Sequence, residues 1–117
     1  MLDPMQPTLP RSRPGFDALR LSCVMPAYNE ARNLAQVVPD VLAVLQTLAR
    51  HVELIVVNDG SRDETAQVVA GLCRAHPEVV LLDLSRNFGK EAAMTAGLEA
   101  AQGDAVILMD ADGQHPV

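Results

Sequence analysis

The stretch ELIVVNDGSRDETAQVVAGLCRA, residues 53–75, decides the fold. Its first five residues predict a strand over 53–57, and Leu54, Ile55, Val56 and Val57 are consecutively apolar rather than alternating. A strand without alternation is buried on both faces, which is the signature of a parallel sheet covered by helices. The segment 58–62 supplies turn chemistry, and residues 63–75 then read as an amphipathic helix. Working outward, the same unit recurs: strand 21–25 and helix 33–49 before it, strand 79–82, alanine-rich helix 90–101 and strand 105–109 after it. This β-α-β-α-β-α-β order predicts an α/β, Rossmann-like parallel sheet with helices on both faces and right-handed crossovers. Pro39 falls inside the first helical segment, so that helix should kink there or restart with Pro39 in its first turn.

Residues 1–20 carry four prolines and two closely spaced arginines without apolar periodicity, and read as a flexible leader to a single domain over 21–117. The 117 residues are 49% hydrophobic and 21% charged, a globular composition, and hold no apolar run of membrane-spanning length. A net charge of −6 argues against nucleic acid as a partner, because a polyphosphate backbone would be repelled. Any bound phosphate then needs a cation. Cys23 and Cys73 lie on apolar faces of separate elements, fitting buried thiols of a reducing compartment better than a disulfide or a zinc site. No signal-peptide pattern opens the chain, which makes the cytoplasm the expected location.

In a sheet of this kind ligands bind beyond the carboxyl ends of the strands. Polar residues gather there after every strand: Pro26 to Glu30, Asn58 to Ser61, Ser85 to Asn87, and the paired Asp110 and Asp112. Alternating carboxylates at a strand end can hold a hard divalent cation that in turn binds a phosphate. Helix capping accounts for Ser61 or Asp63, and for Asn29 or Asn33, without invoking a ligand. It does not account for Asp59, whose carboxylate is placed to accept from a nucleobase amide. Tyr28, the single tyrosine in a chain with 3% aromatics, suits packing on a base or ribose. Gly89 and Lys90 do not complete a P-loop, since Leu84 and Glu91 occupy the positions that need Gly and Ser or Thr. Arg86 or Lys90 could reach a phosphate, although solvated surface cations are commoner. His51 and His76 read as surface residues near helix ends, with no function assigned. Between His115 and Gln114 as a cation ligand the residues alone do not choose, though hard cations prefer oxygen.

Four motifs in order, PAYNE (26–30), VNDGS (57–61), SRNFGKEAA (85–93) and DADGQHP (110–116), resemble glycosyltransferase family 2 over residues 21–117. The resemblance is strongest to its polyprenyl-phosphate branch, the dolichol-phosphate mannosyltransferase-like and undecaprenyl-phosphate sugar transferases. It implies a GT-A fold of which this chain carries the donor-binding part. It also implies an inverting transfer of sugar from a UDP- or GDP-sugar, with a lipid phosphate as acceptor at the cytoplasmic face of a membrane. Carried over residue by residue, Pro26, Tyr28, Glu30, Val57 and Asp59 would hold the nucleoside, and Asp110, Ala111 and Asp112 would flank the diphosphate and donor sugar. Asp112 and Gln114, with Asp110 as a further candidate, would hold Mg²⁺ or Mn²⁺. Two positions depart from the family pattern. Asn58 stands where the common form has Asp, a variant familiar in the bacterial branch, and Gly113 stands where the lipid-phosphate branch usually has Leu. No catalytic base is assigned, because a lipid phosphate is already anionic.

Two rival readings have different consequences. A phospho-accepting receiver domain also alternates β and α, but needs adjacent acids after the first strand and an acceptor Asp after the third. An inactive nucleotide-binding fragment would bind a donor without transferring its sugar, the outcome expected of an isolated 117-residue chain lacking an acceptor wall. Such a piece is also expected to associate through its uncovered surfaces.

Overall fold

The computed structural model describes residues 19–111. The leader expected over residues 1–20 lies outside them apart from its last two positions. The elements are β1 (Arg20–Ala27), α1 (Ala31–Leu48), β2 (His51–Asn58), α2 (Thr65–Ala75), β3 (Val79–Asp83), α3 (Lys90–Ala100) and β4 (Ala105–Leu108). All seven predicted elements are present. The first two strands, of eight residues each, are both three residues longer than predicted, because Arg20, Pro26 and Ala27 pair with His51, Val57 and Asn58. His51 is therefore the first residue of β2, while His76 follows α2 and donates its backbone N–H to Leu72.

The sheet is parallel throughout, in the order β3-β2-β1-β4. Growth runs outward from β1 to β3, then returns past β1 to β4. This reversal carries the last crossover helix to the opposite face, as right-handed connections demand. One face packs Leu21, Cys23, Met25, Leu54, Val56 and Val79 against α1 and α2. The α1 stripe of Leu34, Val38, Leu42 and Leu45 faces that core at helical spacing, each side chain contributing about 1.5–3 kcal/mol on burial. The other face buries Val24, Ile55 and Val57 beneath Ala93 of α3. The receiver reading fails on topology, since a flavodoxin-like sheet places β3 beside β1 rather than at the edge.

Helix α1 neither restarts at Pro39 nor ends there: it runs unbroken from Ala31 to Leu48. The carbonyl that Pro39 leaves without a helical donor belongs to Ala35, an exposed residue, so the missing bond falls on the solvent side of the helix. At the amino edge of the sheet, Glu53 accepts from the Ser22 hydroxyl at 2.6 Å and from the Gln102 N–H at 2.7 Å, and Ser22 Oγ accepts from the Gly103 N–H at 2.8 Å. These bonds satisfy a fully buried serine and fix the turn that feeds β4. No described helix is long and apolar enough to cross a membrane.

Candidate functional site

The topological switch point lies between β1 and β4, and the cleft that opens at their carboxyl ends holds about 430 Å³. Every strand sends residues to it. Pro26, Ala27, Tyr28 and Glu30 come from the end of β1 and its exit, Asp59 from the exit of β2, Asn87, Gly89 and Lys90 from the β3–α3 connection, and Asp110 and Ala111 from the exit of β4. Tyr28 is 42% exposed and offers a ring face at the mouth.

Two interlocked loops build this edge. Asn29 adopts the left-handed conformation at φ 53°, and its side-chain oxygen accepts from the N–H groups of Arg62 at 2.8 Å and Asp63 at 3.3 Å. Ser61 Oγ accepts from the Asn29 N–H at 2.9 Å, and Thr65 Oγ1 from the Glu30 N–H at 3.1 Å. Asn29 and Ser61, which sequence reasoning takes as helix caps, instead tie the β1 exit to the β2 exit. Asp63 does serve the start of α2, accepting from the Thr65 N–H at 2.9 Å and from the Thr65 hydroxyl. That hydroxyl, with help from backbone donors, holds the Asp63 carboxyl below the usual carboxylate range against the opposing effect of desolvation.

The second interlock runs through Asp59. This carboxylate is 3% exposed and accepts from the Phe88 N–H at 2.8 Å, the Gly89 N–H at 3.0 Å and the Asn87 amide at 3.4 Å. Asp59, expected to receive a nucleobase amide, thus already receives three donors from the chain's own β3–α3 connection. Such bonds to a charged acceptor are about twice as strong as neutral ones. Gly60 makes the approach feasible: at φ 68°, a Cβ there would lie 2.2 Å from the Asn87 nitrogen and 2.3 Å from the Arg86 carbonyl carbon. Beside it, buried Asn58 donates to Asp83 at 2.8 Å and accepts from the Ser61 N–H at 3.2 Å. An aspartate at 58 would set two carboxylates against each other, which explains the departure to Asn at this position.

Lys90 opens α3 and its ammonium lies 2.5 Å from Asp110 Oδ1, joining the β3–α3 connection to the β4 exit. The sequence leaves Lys90 open as a phosphate-reaching residue or a solvated surface cation, and the structure sets it in the lining of the cleft, paired to Asp110. Arg86 turns instead onto the Phe88 ring, 4.6 Å from its centroid. Val57 does not reach the cleft: it is fully buried under α3. Asp112, Gly113, Gln114 and His115 lie outside the described residues. Among the described residues no three acidic, histidine or cysteine side chains group as a metal centre. The oxygen donors that Asp110 and Glu30 bring to the cleft nonetheless have the chemistry a hard divalent cation requires.

A parallel sheet with a polar cleft at its switch point, Tyr28 at the mouth, defines an open α/β protein whose ligand cleft lies where such sheets place it. The profile of glycosyl transferase family 2 matches residues 22–117, and the chain belongs to that family. It is 45% identical over 84% of its length to an uncharacterized glycosyltransferase of Synechocystis, covering 31% of that protein. Over 82% of its length it is 38% identical to an undecaprenyl-phosphate 4-deoxy-4-formamido-L-arabinose transferase of Shewanella sediminis, covering 29% of it. Among solved structures, a mannosyltransferase from Pyrobaculum calidifontis in complex with GDP-Man and Mn²⁺ superposes with a TM-score of 0.74 at 28% identity. That match takes in 85% of this chain and 29% of the mannosyltransferase. The fold is thus GT-A, and the chain spans about 30% of the length of the curated relatives described.

Proposed function

We propose that this chain forms the donor half of a metal-dependent, inverting glycosyltransferase that moves a sugar from a nucleoside diphosphate onto a polyprenyl phosphate. The observation that carries this reading is the convergence of four strand exits, with Tyr28, Asp59, Lys90 and Asp110, on one cleft at the switch point. The GDP-Man and Mn²⁺ held by the Pyrobaculum mannosyltransferase support the donor class and the cation, and the lipid-phosphate specificity named for the Shewanella relative supports the acceptor.

Tyr28 packs on the base or ribose, and Pro26 and Glu30 border the nucleoside. Val57 contributes from the core by fixing where β2 delivers Asp59. Asp59 shapes the pocket through the loop it holds, leaving its remaining acceptor capacity toward the nucleoside. Asp110, Ala111 and Asp112 border the diphosphate and donor sugar, with Asp112 and Gln114, and Asp110 as a further ligand, as the residues that would hold Mg²⁺ or Mn²⁺. A bound cation supplies Lewis-acid stabilisation of the departing diphosphate. An acceptor phosphate oxygen attacks the anomeric carbon opposite the leaving oxygen, which inverts the centre. Such an anionic nucleophile needs little general-base help. The acceptor places the whole enzyme at the cytoplasmic face of a membrane.

Calorimetric titration with UDP and GDP, in Mn²⁺ and in chelator, tests the reading. One of the two should bind in Mn²⁺ and lose most of its affinity in chelator or on Asp112→Ala. Equal affinity under both conditions overturns the metal assignment, and no binding of either nucleotide overturns the donor site.

A further inference from the structure

Asp110 and Lys90 face each other across the mouth of the cleft, and their pairing bears on how a nucleotide could enter it. Lys90 is the single basic side chain among the described residues lining the cleft, where Glu30, Asp59 and Asp110 are acidic. Of these acids, Asp59 is answered by loop N–H groups and Asp110 by Lys90 at 2.5 Å. The placement of Lys90 runs against local preference, since it is the first residue of α3 and a cation there meets the positive end of the helix dipole. An anion at the same place is favoured by both the dipole and the ammonium. A diphosphate entering the resting cleft would meet the carboxylate of Asp110 with its counterion already engaged.

We propose that Lys90 is a shared counterion. It neutralises Asp110 in the empty protein and turns onto the diphosphate of the donor once a divalent cation takes over Asp110. The Lys90 side chain is 58% exposed and Asp110 is 32% exposed, so the exchange takes place at the protein surface, on a flexible lysine stem. Cation and nucleotide then bind cooperatively: the cation releases Lys90 for the phosphate, and the phosphate removes a competitor of the cation. The coupling is reciprocal by linkage. This inference rests on the donor-site reading above, and gives Lys90 a role in it that the family motifs do not assign.

The test uses the whole chain as wild type, Lys90→Met and Lys90→Arg. Binding of Mn²⁺ alone, of UDP or GDP in Mn²⁺, and of the corresponding nucleoside is measured by calorimetry. Lys90→Met should bind Mn²⁺ alone about two- to fivefold more tightly, the size of one exposed ion pair removed. It should bind the diphosphate in Mn²⁺ at least about tenfold more weakly, the loss of one charge-assisted contact, while the nucleoside binds unchanged. Lys90→Arg should retain most of the diphosphate affinity. Mn²⁺ binding that is unchanged or weaker in Lys90→Met overturns the proposal, as does an equal loss of nucleoside affinity. A wild type that binds neither diphosphate overturns the donor-site reading, and the shared counterion with it.

Discussion

Asp59 and Asn58 are neighbours with opposite chemistry, and each is fixed by what the folded chain sets beside it. The Asp59 carboxylate gathers the N–H groups of Phe88 and Gly89, so Asp59→Ala should free the β3–α3 connection as well as weaken donor binding. Loss of these charge-assisted bonds should cost about 1.5–3 kcal/mol of stability. Amide exchange at Phe88 and Gly89 should accelerate in the variant, and unchanged protection there would show that the loop stands without Asp59. Asn58 donates to Asp83, so Asn58→Asp should destabilise by setting a buried carboxylate against the exposed one of Asp83. Adding Asp83→Asn restores a donor and should recover most of the loss. A double variant no more stable than Asn58→Asp alone would mean that the Asn58–Asp83 bond is not what selects asparagine.

At the scale of the element, α3 is the least apolar of the helices and packs on Val24, Ile55 and Val57 of the sheet. Its approach depends on Gly97, where a Cβ would sit 2.3 Å from Val24 Cγ1 and 3.1 Å from Val57 Cγ2. Helix propensity alone favours Gly97→Ala by about 1 kcal/mol. Overpacking costs about 1–3 kcal/mol, and the sheet below is close-packed. The variant should therefore be less stable in urea unfolding, and Val24→Ala in the same chain should relieve the clash so that the two losses do not add. A more stable Gly97→Ala protein would mean that α3 rides higher than the structure has it. Displacing α3 also moves Lys90 at its first turn, which links this packing to the cleft.

For the whole molecule, the two-faced sheet sets a pH limit through Cys23. This thiol is fully buried in β1, and burial pushes its pKa from 9.0 up to about 11. The folded chain holds that proton where the unfolded chain releases it. The resulting contribution is complete below pH 9 and is lost as pH rises through about 11. Global stability should decline across that window, and Cys23→Ala should show a shallower decline despite a lower starting stability. A wild type and variant with parallel alkaline profiles would remove Cys23 as the cause. The same burial predicts that thiol reagents label Cys23 only on unfolding.

Consecutive apolar residues in 54–57 and the recurring strand–turn–helix unit were enough to derive a parallel α/β sheet, because burial on both faces leaves a one-dimensional signature. The four motifs likewise disclosed the family and most of the residues that line the cleft, since strand exits of such a sheet share one edge. Sequence could not order the strands, since β1 and β4 are brought together by the direction of a crossover rather than by any local preference. Nor could it see that Asn29, Ser61 and Asp59 make their hydrogen bonds to neighbouring loops. Those outcomes depend on which loops meet in space. The Lys90–Asp110 pair shows the same division: each charge is legible in the chain, but their meeting across the switch point is decided by the position of α3 against β4.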